Sequence, residues 1–348
     1  MKRTSLALLC SLLLVAACSD DGSSTDSSPA TSPDSSPTTP SAPSTDESTT
    51  TPVPMVERAA TVDELLALGR PIVLAHTAGE DEFPASTLFA FGESAKAGVD
   101  MLDLNVLLTK DGVLIVQHDD TVDRATNGTG AVADLTYAEI AALDAAHWFT
   151  AECVCTDQPD AAYLYRGMRT GAVSAPEGYT ADDFAIPTFE QLVQRFPDLP
   201  LNVEIKGSGA PAKAAADELA RLLVALDRAD ATVISSFDDE VVAYFHTLLP
   251  DVEVSPGLAA ITAWVLTRTP LPFDMRILQL PPEFGGTEVI TPQLITDSTA
   301  AGYPIWVWPN ERSLENLAAY TAFLEMGIVG LNINFPAQGV QAVQQYMP

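Results

Sequence analysis

From Pro71 onward the chain alternates short β-rich runs with helical ones, and nothing else in the sequence constrains the fold as much. "PIVLAH" reads as a strand, and "STLFAFGESAKAG" as an amphipathic helix that closes at Gly98. "MLDLNVLLT" and "GVLIVQH" read as strands joined by the hairpin-type turn "KDG". "TYAEIAALDA" is helical in pattern. The helix "PTFEQLVQRF", the strand "LNVEIKG" and the helix "AAADELARLLVALDRA" follow. "ATVISSF" leads into "DDEVVAYFHTLL", whose acidic pair suits a helix N-terminus. "ILQLP", "PIWVWPN" and "GLNINF" are the last strands, with the helix "SLENLAAYTAFLEMG" between the final two. About eight strand–helix units in succession predict an α/β fold of the (β/α)8, or TIM, barrel type. A doubly wound open sheet is the main competitor, but no Gly-rich dinucleotide turn follows the first strand.

The N-terminus is of a different kind. "MKRTSLALLCSLLLVAAC" has a basic start at Lys2 and Arg3, an apolar run too short for a bilayer, and small residues before Cys18. Residues 1–17 therefore read as a signal peptide. "VAAC" resembles a bacterial lipobox, which implies cleavage before Cys18 and acylation of its thiol; an ordinary secretory cut at the same place is the alternative. Residues 18–54 are Ser/Thr/Pro/Asp low complexity with almost no large apolar side chains, and read as a disordered linker that suits a tether. The folded domain is placed at 55–348. The expected location is the extracytoplasmic face of the cell membrane, through a lipid anchor. Of the four cysteines, Cys153 and Cys155 remain in the domain; in an exported protein they can pair as a local clip on a loop.

Charge narrows the class of ligand. The formal net charge is −30, which argues against nucleic acid and against adsorption to anionic lipid. An anionic substrate would need a cation in its site to offset the local field. Nothing in the sequence calls for an obligate protein partner.

In a barrel, functional residues gather at the C-terminal ends of the strands. Those ends carry His76, Asp103 with Asn105, His118 with Asp119, and Glu204 with Lys206. Later strands add Trp306, Trp308, Asn310, Asn332 and Asn334. Asp103 and Asn105 are two apart and share a strand face, as do Glu204 and Lys206. Two carboxylates and an amide offer oxygen ligands to a hard cation such as Ca2+ or Mg2+. Two histidines can divide general acid and base work, and a lysine with a metal can offset phosphoryl charge. Taken singly, each has a plainer reading. A His at a strand end is as readily a satisfied structural residue, and Glu204–Lys206 is as readily an ion pair bracing the barrel.

The segment "TKDGVLIVQHDDTVDRATNGTGAVADLTYAEIAALDA" resembles the glycerophosphodiester phosphodiesterase family, with its T-K-D-G turn, V-x-x-H-D strand end and R-T-T-N-G-T-G run. The resemblance extends through "IPTFEQLVQRFP", "LPLNVEIKG", "VISSFDDEV", "LITDSTAAGYPIWVW" and "GLNINFPAQGV". It implies a (β/α)8 barrel with a small insertion before the third strand, here at about 147–185. It also implies a divalent cation, Ca2+ or Mg2+, held by Asp103, Asn105 and Glu204, with His76 and His118 as catalytic residues. Lys206 matches the family's basic residue two positions after the Glu, and Trp308 and Asn310 are further candidates for substrate contact. The implied reaction cleaves a small-molecule phosphodiester, a glycerophosphodiester, to an alcohol and glycerol phosphate.

The departures from the family pattern are specific. "HTAG" stands where H-R-G is usual, so Thr77 replaces an Arg. "PAST" replaces P-E-N-T and leaves Ala85 without a carboxylate; Asp103 and Asn105 replace an E-x-D pair. "WVWPN" and Ile333–Asn334 replace W-T-V-N and T-D. Losing one charge-assisted hydrogen bond costs on the order of 1.5–3 kcal/mol, which weakens an enzyme without abolishing it. Arg166 or Arg169 in the insertion is a candidate replacement for the missing cation. The insertion's aromatic residues either line a lipid-like substituent or pack the loop onto the barrel. The leading expectation is a metal-dependent phosphodiesterase, lysophospholipid-like diesters included. The alternative is a catalytically weak or inactive barrel lipoprotein that binds a phosphorylated ligand.

Overall fold

Eight parallel strands follow one another around a single curled sheet in the order in which the chain makes them. They belong to a computed structural model that describes residues 58–151 and 153–347; the signal segment, Cys18 and the linker lie outside the described residues. The strands are β1 (Ile72–Ala75), β2 (Met101–Leu108), β3 (Leu114–Val116), β4 (Leu201–Ile205), β5 (Thr232–Ser235), β6 (Glu253–Val254), β7 (Leu278–Leu280), β8 (Glu283–Phe284), β9 (Thr287–Glu288), β10 (Ile305–Val307) and β11 (Gly330–Ile333). The sheet runs β6-β5-β4-β2-β1-β11-β10-β7, β3 adds to β2 antiparallel, and β8–β9 form a separate hairpin. This is the barrel order that the sequence pattern predicts. No ladder joins β6 to β7 among the described residues. There the Glu253 carboxylate accepts the Arg276 backbone N–H at 2.9 Å and its Nε–H at 2.6 Å, a side-chain clasp across the seam.

The strands of the parallel sheet are mostly apolar and buried on both faces, as parallel strands under helices must be, whereas the β8–β9 hairpin is largely exposed. The helices are α1 (Val62–Ala67), α2 (Leu88–Ala97), α3 (Tyr137–Ala141), α4 (Phe189–Arg195), α5 (Gly209–Ala225), α6 (Asp239–Leu248), α7 (Leu258–Thr267), α8 (Pro292–Ala301), α9 (Leu317–Met326) and α10 (Pro336–Tyr346). Their ends follow capping chemistry. The Thr87 hydroxyl accepts from Ala90 N–H at the start of α2, and Gly98 at φ 98° closes it in the left-handed region. Thr136 with Glu139 and Thr188 with Gln191 make capping boxes for α3 and α4. No helix among the described residues is long and apolar enough to cross a membrane.

The elements not read from the pattern include β6 and α7, together with α1, α8, α10 and the β8–β9 hairpin. β6 is two residues long, too short for alternation, and α7, "LAAITAWVLT", has no charged face from which to read a helical period. α3 is also shorter than its pattern, ending at Ala141.

The insertion between β3 and β4 packs on α2 through aromatic rings. Phe89 of α2 meets Tyr165, Tyr179 and Phe184 with centroids 5.0, 4.8 and 4.7 Å apart. These aromatics therefore serve packing. Cys153 and Cys155 are disulfide-bonded, with Cα atoms 5.4 Å apart.

Candidate active site

His76 leaves β1 directly into a tight turn. Thr77 and Ala78 have φ of 44° and 70°, a region costly for residues with a Cβ and most of all for a β-branched one. Surrounding hydrogen bonds hold the turn. Thr77 N–H donates to Asp103 Oδ2 at 3.3 Å, Ser86 N–H to the Thr77 carbonyl at 3.1 Å, and Ser94 Oγ–H to the Ala78 carbonyl at 2.9 Å. Gly79, at φ 83°, is required by space as well, since a Cβ there would lie 2.6 Å from the Pro336 side chain. The turn aims His76 Nδ1 at Asn334 Oδ1, 2.7 Å away, with Glu80 Oε1 at 3.4 Å. Asn334 Nδ2 donates to Asp81 Oδ2 at 3.0 Å, which leaves Asn334 Oδ1 as an acceptor and puts a proton on His76 Nδ1.

Beneath this turn lies a polar layer inside the barrel. Asp103 Oδ1 accepts from Asn202 Nδ2 at 2.5 Å and from Asn332 Nδ2 at 3.1 Å. Asn202 and Gln279 exchange a reciprocal pair of amide bonds at 3.0 and 2.9 Å. Burial pushes the Asp103 carboxyl up, against the pull of His76 and these donors. One layer higher, Asn105 and Glu204 are register partners on β2 and β4. Glu204 Oε2 meets Lys206 Nζ at 3.0 Å, both about a fifth exposed.

The donor set suits a hard cation. Asn105 is 2% exposed, and its Nδ2, a donor that cannot bind a cation, has no hydrogen-bond partner; the atom of this amide suited to a hard cation is Oδ1. Glu204 stands beside it, and Asp103 Oδ2 carries a single long contact and keeps a lone pair free. Among the described residues no three His, Cys, Asp or Glu side chains form a metal cluster, so the amide of Asn105 would have to be a ligand.

His118 follows β3. Its Nδ1 lies 2.6 Å from Asp119 Oδ1, and Asp119 Oδ2 in turn accepts Arg124 Nε–H at 2.6 Å. Burial acts to raise the Asp119 carboxyl, but His118 and Arg124 outweigh it and hold the group well below the usual range. Glu80 faces this cluster as well as His76. Burial opposes its charge, yet His76, Arg124 and His118 bring it down to about 2. Burial likewise disfavours charge on His76, but Glu80, with Asp103 and Asn334, raises it to about 10. Both histidines thus have Nδ1 held by an oxygen acceptor, which leaves Nε2 for other work. Trp308 follows β10 and meets the half-exposed Phe237 ring, which follows β5, edge-on at 6.0 Å; Asn310 Nδ2 donates to the Glu283 carbonyl at 2.8 Å.

One expectation is corrected. Arg166 and Arg169 do not replace the cation missing at Thr77. Arg166 lies over the Tyr163 ring at 3.5 Å and donates to the His147 carbonyl, while Arg169 donates to the Ala141 carbonyl and pairs with Asp182. Arg169 ties the insertion to α3, and Arg166 is held within the insertion, although its Nη2 is buried without a hydrogen-bond partner. Sequence reasoning missed Glu80, Asn202, Gln279 and Glu315. Asn202 carried a signal, because it sits two before Glu204 on the same strand face. Glu80 carried none, because its loop has no period.

Comparison with known proteins adds an independent line. The glycerophosphoryl diester phosphodiesterase family model matches residues 76–338. A Bacillus altitudinis glycerophosphodiester phosphodiesterase is 27% identical over 276 residues, covering 77% of this chain and 96% of the relative. A probable glycerophosphodiester phosphodiesterase 2 of Mycobacterium tuberculosis is 27% identical over 257 residues, covering 70% of this chain and 81% of that one. Among solved structures, an Oleispira antarctica phosphodiesterase in complex with the product sn-glycerol-3-phosphate superposes with a TM-score of 0.60 at 18% identity. It covers 80% of this chain and 99% of that one, and the likeness shows the fold.

Proposed function

The chain belongs to the glycerophosphoryl diester phosphodiesterase family, and on that premise we propose that it cleaves glycerophosphodiesters by acid–base catalysis between His76 and His118. Family membership makes it a phosphoric diester hydrolase. The observation that supports the two-histidine reading is the pairing of both Nδ1 atoms with oxygen acceptors, His76 with Asn334 and His118 with Asp119. One ring takes a proton from the attacking hydroxyl, water or the glycerol's own. The other gives a proton to the leaving oxygen as the P–O bond breaks, so an alcohol leaves without charge. With water the products are the alcohol and glycerol phosphate.

Asp103, Asn105 and Glu204 are the proposed ligands of a divalent cation, Ca2+ or Mg2+. Such an ion supplies positive charge that offsets the phosphoryl oxygens. Lys206, beside Glu204, adds an ammonium to the same side of the site. Trp308 and Asn310 are proposed substrate contacts at the rim, and a lipid anchor at Cys18 is proposed to hold the domain at the outer face of the membrane. The test is release of glycerol phosphate from glycerophosphocholine and glycerophosphoethanolamine by the purified full-length protein, with and without chelator. His118→Ala is assayed beside it. Turnover lost on both treatments supports the proposal. Binding of either diester without turnover in any divalent metal would replace it with a binding function, the reading that Thr77, Ala85 and Asn105 favour.

A further inference from the structure

We propose that Glu80 is a positioning residue that fixes His76 as the general acid and leaves His118 as the base. The inference rests on the reading of these two histidines as the acid–base pair and names their order. Its grounds are geometric. Glu80 Oε1 lies 3.4 Å from His76 Nδ1, the ring nitrogen that also donates to Asn334 Oδ1. A carboxylate placed on Nδ1 stabilises the imidazolium and holds the ring orientation, as the buried acid of a Ser-His-Asp triad does for its histidine. His118 also has a carboxylate on Nδ1, but that carboxylate is shared. Asp119 gives Oδ2 to Arg124 Nε at 2.6 Å, and Arg124 Nη2 reaches Oδ1 at 3.2 Å. A guanidinium thus grips both oxygens of Asp119, so that carboxylate is committed to Arg124 as well as to His118.

The asymmetry continues in the surroundings. His76 also feels Asp103 from β2 and Glu315 from the loop before α9, both acids, while Glu80 feels Arg124 and His118 from across the mouth. Burial opposes charge on His76 and Glu80 is the largest cause that raises it, and the rise to about 10 agrees with the geometry. Glu80 sits about a fifth exposed in the turn "HTAGEDEF", close enough to act and open enough to be replaced without collapse.

The chemistry makes a sharp discrimination. During hydrolysis His118 Nε2 takes the water proton as the O–P bond forms, and His76 Nε2–H gives its proton to the departing oxygen as the other P–O bond breaks. An alkoxide leaving group needs that proton. A p-nitrophenolate, weakly basic, leaves without it. We expect Glu80→Gln to lower kcat on glycerophosphocholine by about ten- to a hundredfold. On a p-nitrophenyl phosphodiester the same variant should change kcat by no more than about threefold, and on the alkyl substrate the alkaline limb of the pH–kcat profile should move down. Simple structural damage would lower both substrates alike. Equal losses on the two leaving groups, or an unmoved alkaline limb, would overturn the proposal. An NMR titration of the His76 ring in full-length wild type and Glu80→Gln separates this from the underlying reading. If wild type turns over neither diester, the hydrolytic reading fails, and an unaltered His76 titration in Glu80→Gln would refute the role of Glu80 independently.

Discussion

Glu315→Gln should remove most of a pH-dependent loss of stability that the wild-type domain carries between pH 5 and pH 8. Glu315 is 6% exposed. Its Oε2 accepts from Tyr320 Oη–H at 2.5 Å and from Asn334 N–H at 3.0 Å, while Oε1 is buried with no partner. The two donors favour the carboxylate, but burial outweighs them and raises the group to about 7. The unfolded chain releases this proton near 4.5 and the folded chain near 7, so the folded state holds more proton across that window. Stability therefore falls as pH rises from about 4.5 and levels off above about 7. Moving a carboxyl from 4.5 to about 7 corresponds to roughly 3 kcal/mol. Glutamine keeps an oxygen for both donors and has no proton to lose. Urea unfolding followed by tryptophan fluorescence at pH 5, 6, 7 and 8 is the assay. The difference between variant and wild type should be small at pH 5 and grow to roughly 3 kcal/mol in favour of the variant by pH 8. Titrations of groups that do not interact with Glu315 cancel in that difference. Parallel curves for the two proteins would refute the argument, because they would mean that Glu315 is ionised in the folded state throughout.

Two further perturbations test the fold that carries the site. Phe89→Ala removes the ring on which Tyr165, Tyr179 and Phe184 converge, and should cost about 3–5 kcal/mol in a denaturation midpoint while making residues 147–185 the first site of limited proteolysis. Glu253→Ala removes the clasp between β6 and β7 and should cost roughly 1–3 kcal/mol in the same measurement, less than a core cavity because Arg276 is half exposed.

Much of this architecture could be read from the sequence because its strands are of the kind that pattern analysis detects. β2 and β4 carry apolar residues with polar ones at alternate positions, and α2, α5 and α6 carry a clear apolar stripe. The same period-two argument put Asp103 with Asn105 on one face of their strand and Glu204 with Lys206 on one face of theirs, and the register pairs Asn105 with Glu204. What escaped was whatever depended on long-range meeting rather than period. Glu80 approaches His76 only because Thr77 and Ala78 turn left-handed, and no local pattern announces that conformation in residues other than glycine. Glu315 and Asn334 lie 19 positions apart and meet only because β11 follows α9 back across the barrel. Arg166 and Arg169 were read by charge alone, but Arg166 lies over the Tyr163 ring and donates to the His147 carbonyl, and Arg169 donates to the Ala141 carbonyl and pairs with Asp182.

The exchange at position 77 shows what kind of change such a site tolerates. An Arg-to-Thr change removes a charge from the place where the family pattern has one; the Thr77 hydroxyl lies 3.4 Å from His76 Nδ1, but most of the bonds that hold the turn are made by its backbone. It is held by the Thr77 N–H on Asp103, by the Thr77 carbonyl on Ser86, and by Ser94 on the Ala78 carbonyl. Strain of about 1–3 kcal/mol for each left-handed residue persists because these contacts over-determine it. Asp103 can serve as their anchor because Asn202 and Asn332 both donate to its other oxygen, and Gln279 fixes Asn202. The Asp103 carboxylate on β2 is thus held by donors from β4 and β11, with β7 bracing the first of them, and it orients the backbone of the loop above. A substitution in that loop can change the electrostatics of the mouth while the histidine stays where the barrel puts it. The residues that could not be exchanged so freely are the amides below, since removing Asn202 or Asn332 would leave a buried carboxylate short of a donor and release the turn it anchors.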